Sequence, residues 1–209
     1  MSAHAYPHEL HMHDYFLTLG VERTFSFENA ALERRFHDLQ RQSHPDRFSG
    51  SSGGILESAL ERSSDINEAY RTLRDPLRRS KHLLALYGFS VEQSKQVPMD
   101  LLELVMNAQE KVAELDSASE DSKAEILASI DPLLDELAER RAVIDLESDK
   151  LRAEWDALPS HSEPGAAETD AEKIILQQLA SRLASRAYVT TLLDSLSAAS
   201  KGESMVLKH

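Results

Sequence analysis

The chain is 209 residues long with 41% hydrophobic residues, enough for one domain or two small ones around an ordinary core. Having no cysteine, it excludes disulfides, thiolate-held metal centres and cysteine catalysis on this chain, and it points to a reducing compartment. The formal charge of −13 argues against a nucleic-acid partner, while 6% aromatics with seven glycines and seven prolines predict an all-α fold.

In chain order, the polar lead-in from Met1 to Met12 brings His4, His8 and His11 close to His13. It reads as a solvated tail or, alternatively, as a metal-binding tract. It has no apolar signal core and no arginine-rich amphipathic pattern. No run in the chain approaches the ~18 apolar residues of a membrane span, so the cytoplasm is the expected location and no membrane is expected as partner. Asp14 to Gly20 then reads as a short helix closed by glycine. Ser26 is the expected cap of a second helix over about 28–43. Its apolar face is Leu32, Phe36 and Leu39, and its other side carries the basic stripe Arg34, His37 and Arg41. Pro45 ends it.

A flexible loop of small residues, Ser49 to Gly54, leads into a third helix over about 55–74. Leu56, Ala59, Ser63, Ile66, Tyr70 and Leu73 share one face of it. The second and third helices are therefore expected to form an antiparallel pair with His44-Pro45-Asp46 at its tip. Asp75-Pro76 opens a fourth helix that Gly88 stops, giving a first domain over 14–88.

A polar connector occupies 89–98, and a second domain follows over 99–200. Charge divides along the same line: residues 1–88 hold 11 Lys+Arg against 12 Asp+Glu, whereas residues 99–150 hold 5 against 15. The helix over about 100–115 is apolar at Leu101, Leu102, Leu104, Val105, Met106 and Val112, wider than one buried stripe requires. Ser122-x-x-Glu125 reads as the capping box of the next helix, which carries Ile126, Ile130, Leu134, Leu137 and Ile144, with Pro132 expected to kink it. The linker Leu158 to Glu168 precedes a last helix that opens with the box Thr169-x-x-Glu172 and runs to about Ala199. The second domain is thus expected to be a three-helix bundle.

The stretch RQSHPDRF over 41–48 raises the question of chemistry. His44 and Asp46 offer an acid–base pair, yet a hydrolase also needs a nucleophile and an oxyanion donor, and the serine-rich loop has no strand from which to build a strained elbow. The bland alternative makes them polar loop residues beside a helix stop. Three features favour another reading: the tripeptide caps a helical hairpin, a basic stripe leads up to it, and the next helix carries INEAYRTL over 66–73. Together they resemble the J-domain, the module that recruits DnaK-type chaperones and stimulates their ATPase. The resemblance runs from about Tyr15 through Leu86. Asp14-Tyr15-Phe16, RRFHDLQRQSHPDRF, SDINEAYRTLRDPLRRSKHLLALYG and the acidic helical bundle afterwards are further similar to HscB, the co-chaperone family of iron–sulfur cluster assembly. Neither a glycine/phenylalanine-rich nor a zinc-binding region follows the first domain.

The resemblance implies a non-enzymatic co-chaperone with no cofactor and no bound metal. It assigns His44, Pro45, Asp46, Arg47, Arg34, His37 and Arg41 to binding an HscA/DnaK-type chaperone. It makes the C-terminal bundle the domain that binds an IscU-type scaffold and mediates any oligomerisation, in a monomer or weak homodimer. In the scaffold-binding helix Leu102, Met106, Glu110 and Glu114 match the family pattern, while Glu103 and Asn107 depart from it; Tyr188 matches an aromatic of the last helix. Ser43 stands where a tyrosine is common, and the missing N-terminal cysteines of some eukaryotic relatives imply a bacterial-type chain. Two alternatives stay open: a different client for the acidic bundle, and Leu102 and Met106 as plain core residues.

Overall fold

The computed structural model describes residues 13–44, 53–91 and 99–201. Among these residues the chain is all-α: α1 Tyr15–Leu19, α2 Asn29–Ser43, α3 Gly53–Arg74, α4 Pro76–Leu86, a 3-10 turn Met99–Leu101, α5 Leu102–Ser117, α6 Glu120–Asp156 and α7 Asp170–Ser200. Two compact units result, one built on α1–α4 and the other on α5–α7.

In the first unit α3 is the central helix. It packs against α1, α2 and α4 through Ala59, Ile66, Ala69 and Leu73, all buried. The antiparallel pairing of α2 with α3 is fixed by Phe36 stacked on Tyr70 at 4.1 Å and by the Gln40 amide donating to Asn67 Oδ1 at 2.9 Å. Helix α1 has only five residues, too few to persist alone, so both its ends are held from outside. The Asp14 carboxylate caps Phe16 and Leu17 N–H, and Gly20 ends the helix at φ +64°. The positive φ is what favours glycine at this position, while the nearest atom to an added side chain would be the flexible Arg35 guanidinium at 2.7 Å, which can move aside.

Helix α2 lacks the expected cap. Its N-cap position is Glu28, with no side-chain hydrogen bond, and Ser26 instead accepts the Thr24 hydroxyl on its carbonyl at 3.0 Å. The helix simply begins two residues later than a Ser26 cap requires. Asp75 caps α4 by accepting from Arg78 N–H, with Pro76 in the first turn, and Gly88 follows at φ +79°.

In the second unit Leu101 of the 3-10 turn and Leu104, Val105 and Ala108 of α5 pack with Ile130, Leu133, Leu137 and Ile144 of α6 and Val189 and Leu196 of α7. Arg186 with Asp145 at 2.6 Å and Arg182 with Glu147 at 3.2 Å set the antiparallel register of α7 on α6. Ser122 does not open a capping box: α5 ends at Ser117, Ser119 is already the N-cap of α6, and Ser122 lies inside its first turn. The short connection forces the helix to start as soon as the chain has reversed. Pro132 lies inside α6, which remains one helix of 37 residues.

The second capping box is formed in full. Glu172, almost wholly buried, accepts from Ser162 N–H at 2.6 Å, Ser162 Oγ at 2.8 Å, Thr169 N–H at 2.7 Å and Thr169 Oγ1 at 2.8 Å. Burial alone would raise its pKa, but these four donors outweigh it and hold the carboxyl at about 2. With His161 stacked on the buried Trp155 at 4.4 Å, the box secures the loop between α6 and α7.

Candidate functional site

The basic stripe of α2 faces outward: Arg34, His37 and Arg41 are all exposed. Arg41 pairs with Asp38 one turn back, and His37 Nε2 lies 3.8 Å from Glu33. Arg34 has no hydrogen-bonding or ionic partner among the described residues. Exposed pairs within one helix contribute little, so a partner carrying acidic groups displaces them at small cost. The helix ends at His44, exposed at φ −63° and ψ 126°, the extended geometry that a following proline imposes. Ser43 before it is buried. Pro45, Asp46 and Arg47 lie outside the described residues, as does the histidine tract apart from His13, whose Nδ1 stands 3.9 Å from Asp65.

Two residues that the sequence reading passed over set the position of this face. Arg35, one residue beyond Arg34 and also exposed, lies over the end of α1 and donates from Nε to the Leu19 carbonyl at 2.8 Å, satisfying the C-terminal end of α1 with a cation. At the other end of α1, His82 Nε2 accepts the Tyr15 N–H at 3.1 Å while its ring stacks on Tyr15 at 4.4 Å. Burial lowers the His82 pKa against the opposing pull of Asp14, so the ring is held neutral with Nε2 as acceptor. A donor at a helix C-terminus and an acceptor at its N-terminus are signals of position, and both residues lie far in sequence from the ends they hold.

Leu101, just before α5, and Leu104, Val105 and Ala108 on it are buried, whereas Leu102 is 43% and Met106 60% exposed. The two exposed residues are four apart and so share a helix face, with Glu110, also exposed, one turn further on. This stripe is apolar toward the helix start and acidic toward its end. Glu114, half-buried, accepts from Lys111 Nζ at 2.7 Å, and this hydrogen bond raises the Lys111 pKa. Tyr188 on α7 is half-buried and packs against the bundle core. Leu102, Met106 and Glu110 therefore form the outward set, and Glu114 and Tyr188 are engaged within the unit.

With both faces placed, residues 14–82 match the DnaJ domain family. This part of the chain is a J-domain. The chain as a whole has the fold seen in HscB: the chaperone HscB from Vibrio cholerae is 20% identical with a TM-score of 0.53, the comparison covering 91% of this chain and 99% of that one. The human co-chaperone HscB is 23% identical with a TM-score of 0.54, covering 91% of this chain and 83% of that one. Among the described residues no helix is long and apolar enough to cross a membrane.

Proposed function

We propose that this chain is a non-enzymatic cytoplasmic co-chaperone of iron–sulfur cluster assembly. Its J-domain engages an HscA/DnaK-type chaperone through Arg34, His37, Arg41 and the His44-Pro45-Asp46-Arg47 loop and stimulates ATP hydrolysis there. Its bundle binds an IscU-type scaffold through Leu102, Met106 and Glu110, with Glu114 and Tyr188 bordering the contact. The observation that carries the reading is the pair Leu102 and Met106, large apolar side chains left in water on a helix that buries Leu104, Val105 and Ala108, in a chain that also bears a J-domain. Methionine suits such a face because its unbranched thioether adapts to a partner's contour.

Physically, one chain that holds client and ATPase together makes their encounter intramolecular and raises its effective concentration. Differential contact with one chaperone state then shifts the population toward the state that hydrolyses ATP. The test is to titrate an HscA/DnaK-type chaperone with this chain, with an IscU-type scaffold, and with both, measuring ATP turnover. Stimulation by the chain alone and synergy with the scaffold are expected. Stimulation without synergy would leave the J-domain role and assign the bundle a different client.

A further inference from the structure

Between α5 and α6 runs a cleft of about 430 Å³ lined by Glu103, Leu104, Asn107, Glu136 and Arg140. We propose that this cleft receives a lysine or arginine side chain of the client polypeptide, so that the docking face reads an apolar residue together with a basic neighbour. The inference rests on the client-docking reading of Leu102 and Met106. Glu103 and Asn107 each follow those two residues by one position, which places this side of the cleft about 100° around α5 from the exposed pair, on the adjoining face. A segment lying across Leu102 and Met106 passes its next side chain over the cleft.

The lining fits a long cation in both its parts. Leu104, only 9% exposed, offers carbon to an aliphatic stem, and the two glutamates stand exposed to take the charged end. Neither Glu103 nor Glu136 makes a hydrogen bond or ion pair among the described residues, and the Asn107 amide is likewise without a partner there. Elsewhere on the bundle several acids already meet cations, as Glu114 does Lys111, Asp145 does Arg186 and Asp149 does Arg152. Arg140 does not reverse the sign, since it is half-buried, already engaged within the chain, and outnumbered by two carboxylates. An acidic client side chain would be repelled at the same place.

The test compares Glu103→Gln/Glu136→Gln with Leu102→Ala/Met106→Ala in the full chain, titrated with a purified IscU-type scaffold by calorimetry at low and high salt. The glutamine pair is expected to weaken binding roughly tenfold and to flatten its salt dependence, with an unchanged melting temperature. Unchanged affinity and salt dependence for the glutamine pair, alongside lost binding for the alanine pair, would overturn the cleft while keeping the apolar patch. If the unaltered chain does not bind the scaffold at all, the docking reading falls and takes the cleft with it.

Discussion

The two outward faces of this chain are built from opposite materials. On α2 the exposed stripe is basic and apolar contact is turned inward, so a partner meets charges that are already lightly paired on their own helix. On α5 the exposed stripe opens with Leu102 and Met106 and closes with Glu110, so a partner removes apolar surface from water. The first arrangement favours fast, salt-sensitive encounter, and the second favours slow release. The proposed function, in which one partner is released each cycle while the other is retained, calls for that division.

The contrast breaks most visibly at His44. His44→Gln is expected to abolish stimulation of the chaperone ATPase, with stability altered by no more than about 0.5 kcal/mol because the residue is exposed. Full stimulation by a folded variant would remove the functional reading of the first face.

On the second face, neighbouring leucines test burial against recognition. Leu101→Ala, at a wholly buried position, is expected to lower stability by about 2–5 kcal/mol through lost transfer energy and a cavity. Leu102→Ala and Met106→Ala are expected to leave the melting temperature nearly unchanged and to lose about 1–2 kcal/mol of scaffold affinity each. Chemical denaturation and scaffold titration on the three variants separate the two roles, and equal stability losses at Leu101 and Leu102 would erase the distinction.

Acid should also affect the two units in different pH ranges. His82 is neutral in the fold with a depressed pKa, so the stability it gives the J-domain is present above the ordinary imidazole value of 6.5 and is lost as pH falls through its lower folded value. Glu172 is ionised in the fold at about 2, so its contribution to the bundle is present above the ordinary 4.5 and is lost only as pH falls toward about 2. Amide signals followed by NMR should therefore move first around Tyr15 and only later around Ser162 and Thr169. Glu172→Gln, which removes the charge that four donors converge on, is expected to cost about 2 kcal/mol of stability at neutral pH. Loss in the reverse order would overturn these assignments.

The smallest effect is expected at Arg41. Arg41→Ala should weaken chaperone binding only about two- to fivefold, because an exposed charge is screened within ~8 Å at physiological salt, and should lessen the salt dependence of the association rate. Stopped-flow measurements at two ionic strengths check both, and an unchanged salt dependence would point away from this stripe as the docking face.

Features confined to a few consecutive residues were legible in the sequence. Asp14 and Gly20 delimit α1, Asp75-Pro76 opens α4, and Thr169-x-x-Glu172 caps α7, because each signal acts through backbone groups within one turn. The all-α class and the J-domain hairpin were legible for the same reason, since apolar spacing fixes which residues share a helix face. The same logic misplaced Ser26 and Ser122, where the helix start depends on how the preceding loop is fastened. Only tertiary packing decided which apolar face is covered: Leu101 and Leu102 are equal in hydrophobicity and adjacent in sequence, yet α6 and α7 bury the first and leave the second in water. Arg34 and Arg35 are both exposed, yet only the second meets the end of α1, where it donates to the Leu19 carbonyl. A repeat of 3.6 residues states which side chains lie together, but the free energy of burial depends on what stands opposite them, and that is set by chain segments distant in sequence.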